Sequence, residues 1–310
     1  MPHTLGGVEA SPAVLVISGG PDREREVSLR SGAVVAEAAQ AAGFGVTTCD
    51  LGPDDTAGLD GFLAAHPGGV VLPILHGPWG EGGGAQRLLE SRGAVFVGCD
   101  RVAAERCMHK AATKERLVRA GVPTPPHELL LGGAEPTLSP PAVLKPEADG
   151  SSIDLAICTT AEQLRAAHAR LKRGNPRLLC ERFVAGKELT VGWLLGRTLP
   201  TIWIRPATGH YDYAAKYDRD DTAYAFDLEE PEAVAAAVRE AAEAGCVALG
   251  VRDLARVDVM LDAAGVPWVL EINTMPGFTE HSLLPKAAAE AGLAMPDLVR
   301  SLVEAAAARR

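Results

Sequence analysis

Apolar residues along this chain recur with two different periods, and the switches between them lay out most of its elements. Residues 13–18 form an unbroken apolar run, as a strand does when both of its faces are buried, and Gly19-Gly20-Pro21 breaks it. A helix is predicted over 23–42, with Val27, Ser31, Val34, Val35 and Ala38 along one face and Gly43 as its stop. Residues 45–49 and 70–74 read as strands and 85–91 as a short helix. The alternation predicts a doubly wound α/β unit, in which ligands gather at the carboxyl ends of the strands.

A break is expected near Gly98-Cys99-Asp100, followed by a helix over 103–120 and a turn from Gly121 to Pro126. An antiparallel section comes next. Its strand 142–145 is halted by Pro146, 160–172 is a helix, 177–183 is a strand, and 188–195 pairs with 199–204 about Gly196-Arg197. Residues 206–222 lack apolar periodicity and are dense in Tyr, Asp and Lys, as a binding loop or lid is. An Ala-rich helix over 231–249 has Pro231 in its first turn. Strands 256–261 and 269–274 follow, joined by a Gly265-Val266-Pro267 turn, and helices are predicted over 284–291 and 296–308.

Composition narrows the classes of function. The 310 residues suffice for two or three packed units, and 47% hydrophobic with 23% charged residues is a globular balance. No apolar run approaches the roughly 20 residues that cross a bilayer, and the first residues lack the order of an export signal. A cytoplasmic protein without a membrane partner is expected. The six cysteines are scattered with no Cys-x-x-Cys pair, which suits reduced thiols, and Cys180 and Cys246 sit in apolar surroundings as core fillers. A net charge of −10 and the lack of a Lys/Arg cluster weigh against a nucleic-acid partner.

The densest chemistry lies on the last strand pair. Antiparallel pairing brings Asp258 close to Glu271 and Asn273, and alternation sends Glu271 and Asn273 to one face while Ile272 points away. Two carboxylates and an amide make an all-oxygen site suited to Mg²⁺ carrying substrate phosphates. Arg256 shares the face of Asp258 and could counter a developing negative charge. The alternative is a hairpin with solvated polar residues, but facing carboxylates repel unless a cation lies between them.

Lys110, Lys145 and the loop Asp149-Gly150-Ser151-Ser152 are candidates for phosphate, although the loop alone also reads as an ordinary turn. No Walker A sequence and no Gly-x-Gly-x-x-Gly fingerprint is present. The backbone near Phe183 could pair with an adenine edge, with Glu181 accepting the exocyclic amine and Glu188 a ribose hydroxyl; an exposed Glu181–Arg182 pair is the plainer reading. Glu24 opens a helix, and His76 ends a strand in a Gly-rich loop, where it is as readily structural as functional.

In order and over nearly the whole chain, these segments resemble the D-alanine–D-alanine ligases of the ATP-grasp superfamily. The matching pieces are Gly19-Gly20, Glu24 to Leu29, Ser31-Gly32, Leu75-His76-Gly77, Lys145-Pro146, Gly150-Ser151-Ser152 and Tyr211 to Tyr217. They are completed by Arg256 to Met260, Glu271 to Thr279 and His281 to Pro285. The resemblance implies an ATP-grasp fold, mixed α/β and α+β, in three parts: an N-terminal doubly wound domain (1–100), a central subdomain (101–185) and a C-terminal subdomain (186–310) with a lid over 206–222. It implies joining of two D-alanines through an acyl phosphate for peptidoglycan precursors, with ATP and two Mg²⁺ ions (Mn²⁺ as a substitute), in a homodimer.

Residue by residue, the resemblance implies that Glu24 anchors the ammonium of the first D-alanine and that Ser151 and Tyr217 link to it as the lid closes. Lys110, Lys145 and Lys216 would contact ATP phosphates together with Ser152 of the phosphate loop, while Glu181, Val184 and Glu188 hold adenosine. Asp258, Glu271 and Asn273 would bind the metal ions. Arg256 and the Gly277 N–H would form the oxyanion hole, Ser282 and Leu283 would seat the second carboxylate, and His76 would line the first site.

The chain departs from the family pattern at three places. Gly82 stands where an aspartate is usual, Met108-His109 stands where Met-Asp is usual before Lys110, and Glu147-Ala148-Asp149 lacks a common arginine. These leave open a related ligase that joins a D-amino acid to another acceptor, such as D-Ser or D-lactate. A nucleotide-binding protein without catalysis is a further alternative, but it has no need of an oxyanion arginine.

Overall fold

The structure is a computed structural model and describes residues 11–148, 150, 154–206 and 221–309. Its first sheet has the order β2-β1-β3-β4, formed by β1 (Val14–Ser18), β2 (Val46–Asp50), β3 (Val70–Pro73) and β4 (Val95–Phe96), all parallel. The unbroken apolar runs of β1 and β3 are buried on both faces, as predicted. β2 and β3 flank β1 on opposite sides, so the chain reverses its winding between β1 and β3. Ligands of such sheets bind at that switch point. Glu24, beyond β1, and His76, beyond β3, both sit there.

Gly19 and Gly20 turn the chain from β1 toward α1 (Arg25–Ala41) with φ of 91° and 82°, a region side chains rarely adopt. The buried face of α1 differs from the predicted one. Ser28, Ser31, Gly32, Val35, Ala36, Ala38 and Ala39 are buried, while Val27 and Val34 are only partly so. Size decides this face: a Cβ on Gly32 would lie 2.5 Å from the Ser18 Cβ, so the helix approaches the sheet on its smallest residues. Helices α2 (Ala57–Ala65), α3 (Gly77–Gly80) and α4 (Gly84–Ser91) complete the unit.

The helix predicted over 103–120 is two helices, α5 (Arg101–Met108) and α6 (Lys110–Arg119), broken at His109, whose ψ is 94°. The break is satisfied by one local partner and one distant one. The Thr113 hydroxyl donates to the Arg106 carbonyl at 2.8 Å, and the Lys110 N–H donates to the Glu147 carbonyl at 3.2 Å.

An antiparallel sheet of order β5-β8-β6-β7 follows: β5 (His127–Leu131), β6 (Ala142–Pro146), β7 (Ala156–Cys158) and β8 (Arg177–Arg182), with α7 (Ala161–Leu171) against it. The last sheet contains β9 (Lys187–Leu194), β10 (Arg197–Thr198), β11 (Ile202–Arg205), β12 (Ala223–Ala225), β13 (Leu254–Leu261) and β14 (Pro267–Asn273), in the order β12-β11-β9-β13-β14 with β10 on β9. The β13–β14 turn lies earlier than predicted. Asp262 Oδ1 accepts from both the Ala264 and Val266 N–H groups, and Pro267 opens β14, where a missing donor is tolerated. Helix α8 (Glu232–Leu249) packs on this sheet, with Cys246 in the core between them, and Cys180 is likewise buried in β8. Helices α9 (Leu283–Glu290) and α10 (Met295–Ala307) join the sheet to α1.

Candidate active site

A cavity of about 270 Å³ lies between the carboxyl ends of β1 and β3, the β13–β14 hairpin and the start of α9. Glu24, His76, Arg256, Glu271, Asn273, Gly277, Ser282 and Leu283 all line it, and they come from widely separated parts of the sequence. Gly150 lines it too. A Cβ there would stand 3.3 Å from both Glu24 carboxylate oxygens, so the predicted phosphate loop and the predicted ammonium anchor are in contact. Ser151, Ser152, Lys216 and Tyr217 lie outside the described residues, as does most of the predicted lid.

On the hairpin, Asp258 pairs with Glu271 and Arg256 with Asn273, and Val257 and Ile272 between them are buried in the core. The predicted convergence is therefore present. The Arg256 guanidinium grips Asp258 with two hydrogen bonds of 2.9 Å, and the Thr190 hydroxyl of β9 donates to the same carboxylate at 2.8 Å. Lys110 Nζ stands 3.5 Å from Glu271. The Asn273 side-chain Oδ1 accepts from the Met275 N–H at 2.9 Å, which fixes the amide. Among the described residues no group of three or more His, Cys, Asp or Glu side chains is arranged to hold a metal ion. Mg²⁺ needs only one or two carboxylates when substrate phosphates and water complete its shell, and the Asp258, Glu271 and Asn273 oxygens fit that shared mode.

Glu181 is not half of an exposed pair with Arg182. It is 2% exposed, with Lys145 Nζ 2.6 Å from one carboxylate oxygen and Lys114 Nζ 2.7 Å from the other. Burial pushes the Glu181 carboxyl up, but the two ammonium groups outweigh it and hold it at about 2. Burial also pulls Lys145 down, yet Glu181 and Glu271 raise it above the ordinary lysine value. The Arg182 guanidinium instead lies 4.8 Å from the centre of the Trp268 ring. Val184 is buried just past β8, and Glu188 lies on β9 two residues from Thr190, on the same face.

Lys114 and Thr124 escaped the sequence reading. Lys114 Nζ donates to the Thr124 hydroxyl at 2.9 Å, and that hydroxyl donates to the Val269 carbonyl at 2.7 Å, so α6 ties both antiparallel sheets together. A signal existed: Lys110 and Lys114 are four apart and share one helix face.

His76 Nδ1 lies 3.0 Å from the Met275 carbonyl, which can only accept, so Nδ1 carries the proton. Nε2 is then a bare acceptor, buried without a partner among the described residues. Burial lowers the imidazole to about 4 and keeps it neutral. Glu81 lines the same cavity. Burial, and then the nearby Glu24 carboxylate, raise it to about 8. A Cβ at Gly277 would lie 2.7 Å from Ser282 Oγ, so a larger residue there would displace that hydroxyl. Ser282 precedes the first turn of α9, whose N–H groups suit a carboxylate, and its Oγ accepts from the Thr279 N–H at 3.0 Å.

Two antiparallel sheets meeting over buried lysines, a carboxylate-bearing hairpin and a small polar cavity at the switch point of a doubly wound sheet together define an ATP-grasp ligase. Residues 119–304 match the family model described as the D-Ala D-Ala ligase C-terminus. A D-alanine–D-alanine ligase of Laribacter hongkongensis (strain HLHK9) is 40% identical over 94% of this chain and 96% of its own length. The crystal structure of a D-alanine–D-alanine ligase from Bacillus anthracis has a TM-score of 0.83 at 30% identity and covers 96% of this chain and 98% of its own. The structure of that ligase complexed with ATP has a TM-score of 0.82. The chain belongs to the D-alanine–D-alanine ligase family.

Proposed function

We propose that this protein joins two D-alanines into D-alanyl-D-alanine with ATP, through an acyl phosphate, for peptidoglycan precursors. The observation that carries this reading is the single cavity that gathers Glu24, His76, Arg256, Gly277 and the start of α9 beside the Lys110–Glu271 pair. A carboxylate is a poor electrophile, so its oxygen first takes the γ-phosphoryl group and ADP leaves. Lys110, Lys145 and Lys216 are assigned to the phosphates, with Ser152 from the loop, and Glu181, Val184 and Glu188 to adenosine. Mg²⁺, when bound by Asp258, Glu271 and Asn273, would neutralise charge on the transferred group.

Glu24 is assigned to the ammonium of the first D-alanine, with Ser151 and Tyr217 completing the link to the lid and His76 lining this pocket. The second amine attacks the acyl carbon, loses a proton and expels phosphate. Arg256 and the Gly277 N–H are assigned to the tetrahedral oxyanion, and losing one such donor typically costs about 3–4 kcal/mol of barrier. Ser282 and Leu283 are assigned to the second carboxylate. The reading includes a homodimer in the cytoplasm; no described helix is long and apolar enough to cross a membrane.

The test is ATP turnover with Mg²⁺ and D-alanine, with products read by mass spectrometry. Dipeptide together with ADP is expected, and neither above background rejects the reading. A different acceptor is the second reading, and Gly82 favours it. A Cβ at Gly82 would lie 2.3 Å from the Pro78 carbonyl oxygen, so this backbone leaves no room for the aspartate that is usual there. Offering D-Ser and D-lactate beside D-alanine separates the two: D-alanine incorporated in large excess removes the second.

A further inference from the structure

His109, one of the departures from the family pattern, touches Glu147, which lies 38 residues away in sequence and next to a second departure at Ala148. Glu147 is 1% exposed at the end of β6, two residues after Lys145. His109 Nδ1 lies 2.8 Å from Glu147 Oε2, and Arg177 Nε donates to the same oxygen at 3.2 Å. Oε1 is buried with no hydrogen-bond partner among the described residues. Every described restraint on this carboxylate thus comes through one oxygen. The main chain adds two more ties, since the Glu147 carbonyl accepts from the Lys110 N–H and the Glu147 N–H donates to the Arg177 carbonyl.

We propose that the His109–Glu147–Arg177 contact is a positioning clasp that sets the separation of Lys110 and Lys145, and with it the grip on the ATP phosphates. Lys110 starts α6, and Lys145 sits near the end of β6; among the described residues α6 and β6 belong to no common ladder, and they meet here through the Glu147 backbone and side chain. The clasp supplies that join one residue before Lys110 and two after Lys145. It also accounts for the break between α5 and α6, because an unbroken helix would use the Lys110 N–H internally. The His109 ring thus offers a donor to a buried carboxylate that has few others. Restoring the usual aspartate at His109 alone would set two carboxylates against each other.

The proposal rests on the assignment of Lys110 and Lys145 to ATP, and the experiment separates the two. Steady-state KM for ATP, KM for D-alanine and kcat are measured for H109D, H109A, H109R and E147Q, with K110A and K145A as references and thermal melting as the folding check. For a half-exposed donor to a buried carboxylate, about a 10-fold rise in KM for ATP is expected for H109D and about 3-fold for H109A. H109R keeps an N–H donor toward the buried carboxylate and should stay within about 2-fold of the parent, and kcat and KM for D-alanine should change little throughout. If E147Q does not fold, the order H109D, H109A, H109R still decides. Raised KM for ATP in K110A and K145A, with none in the His109 series, overturns the clasp alone. Unchanged KM for ATP in both lysine variants overturns the site assignment and the clasp together.

Discussion

His76 and Glu81 face the same cavity with opposite proton linkages. Burial lowers His76 from 6.5 to about 4, so its neutral form favours the fold. That stabilisation is complete above pH 6.5 and is lost as pH falls through 4; the shift corresponds to roughly 3 kcal/mol. Glu81 is raised from 4.5 to about 8, so its contribution is complete below pH 4.5 and is lost as pH rises through 8. Urea unfolding between pH 4 and 8.5 should show H76N flattening the acid limb and E81Q the alkaline limb. An unchanged pH profile in both variants would mean that neither group is buried as described.

Glu181 supplies a second residue-level prediction. Its carboxyl is held at about 2 because Lys114 and Lys145 outweigh its burial. Removing one partner of a buried pair costs about 3–5 kcal/mol, against roughly 0–1 for exposed pairs. K114M should therefore lower the melting temperature far more than R119M, whose pair with Glu115 is exposed. Equal effects would show that the buried lysine contributes no more than a surface one.

Among the elements, α1 shows where sequence pattern and structure part. Periodicity gave the helix and its end, but Gly32 and the serines, not Val27 and Val34, meet the sheet. Hydropathy cannot register that a helix packs on its smallest side chains. G32A tests which effect wins: alanine improves helix propensity by about 1 kcal/mol, while overpacking against Ser18 costs about 1–3. Net destabilisation in urea is expected, and a more stable variant would show that the sheet yields. The β13–β14 hairpin was legible for the opposite reason, because alternation separates Glu271 from Ile272 within its strand and antiparallel pairing brings Asp258 opposite Glu271, even though the turn lies earlier than predicted. Short elements such as α3, β4 and β10 have too few residues to show a period. The break at His109 has neither glycine nor proline to mark it, since its cause, Glu147, lies elsewhere in the chain.

At the level of the whole molecule, the cavity exists only because the first sheet and β13 keep their places relative to each other. Asp253, one residue before β13, accepts from the Gly98 N–H at 2.7 Å just past β4. Arg309, after α10, grips the same carboxylate at 2.6 and 2.7 Å and donates to the Phe96 carbonyl at 3.0 Å. Arg252 donates to the Gly98 carbonyl and lies over the Phe96 ring. This junction holds the sheet that bears Glu24 and His76 against the strand that bears Arg256, whereas the Lys110, Lys114 and Lys145 cluster is tied through α6 instead. D253A would leave a buried N–H and a guanidinium without their acceptor, which costs about 3–5 kcal/mol, and R309A, whose side chain is partly exposed, should cost less. The kinetic signature follows from which walls move. Loosening this junction should raise KM for D-alanine several-fold more than KM for ATP, because the cavity proposed for the amino acids spans the seam and the lysines proposed for the nucleotide do not lie on it. Steady-state kinetics on R309A, the milder variant, reads that ratio; equal rises in both constants would mean that the junction supports stability without shaping the pocket.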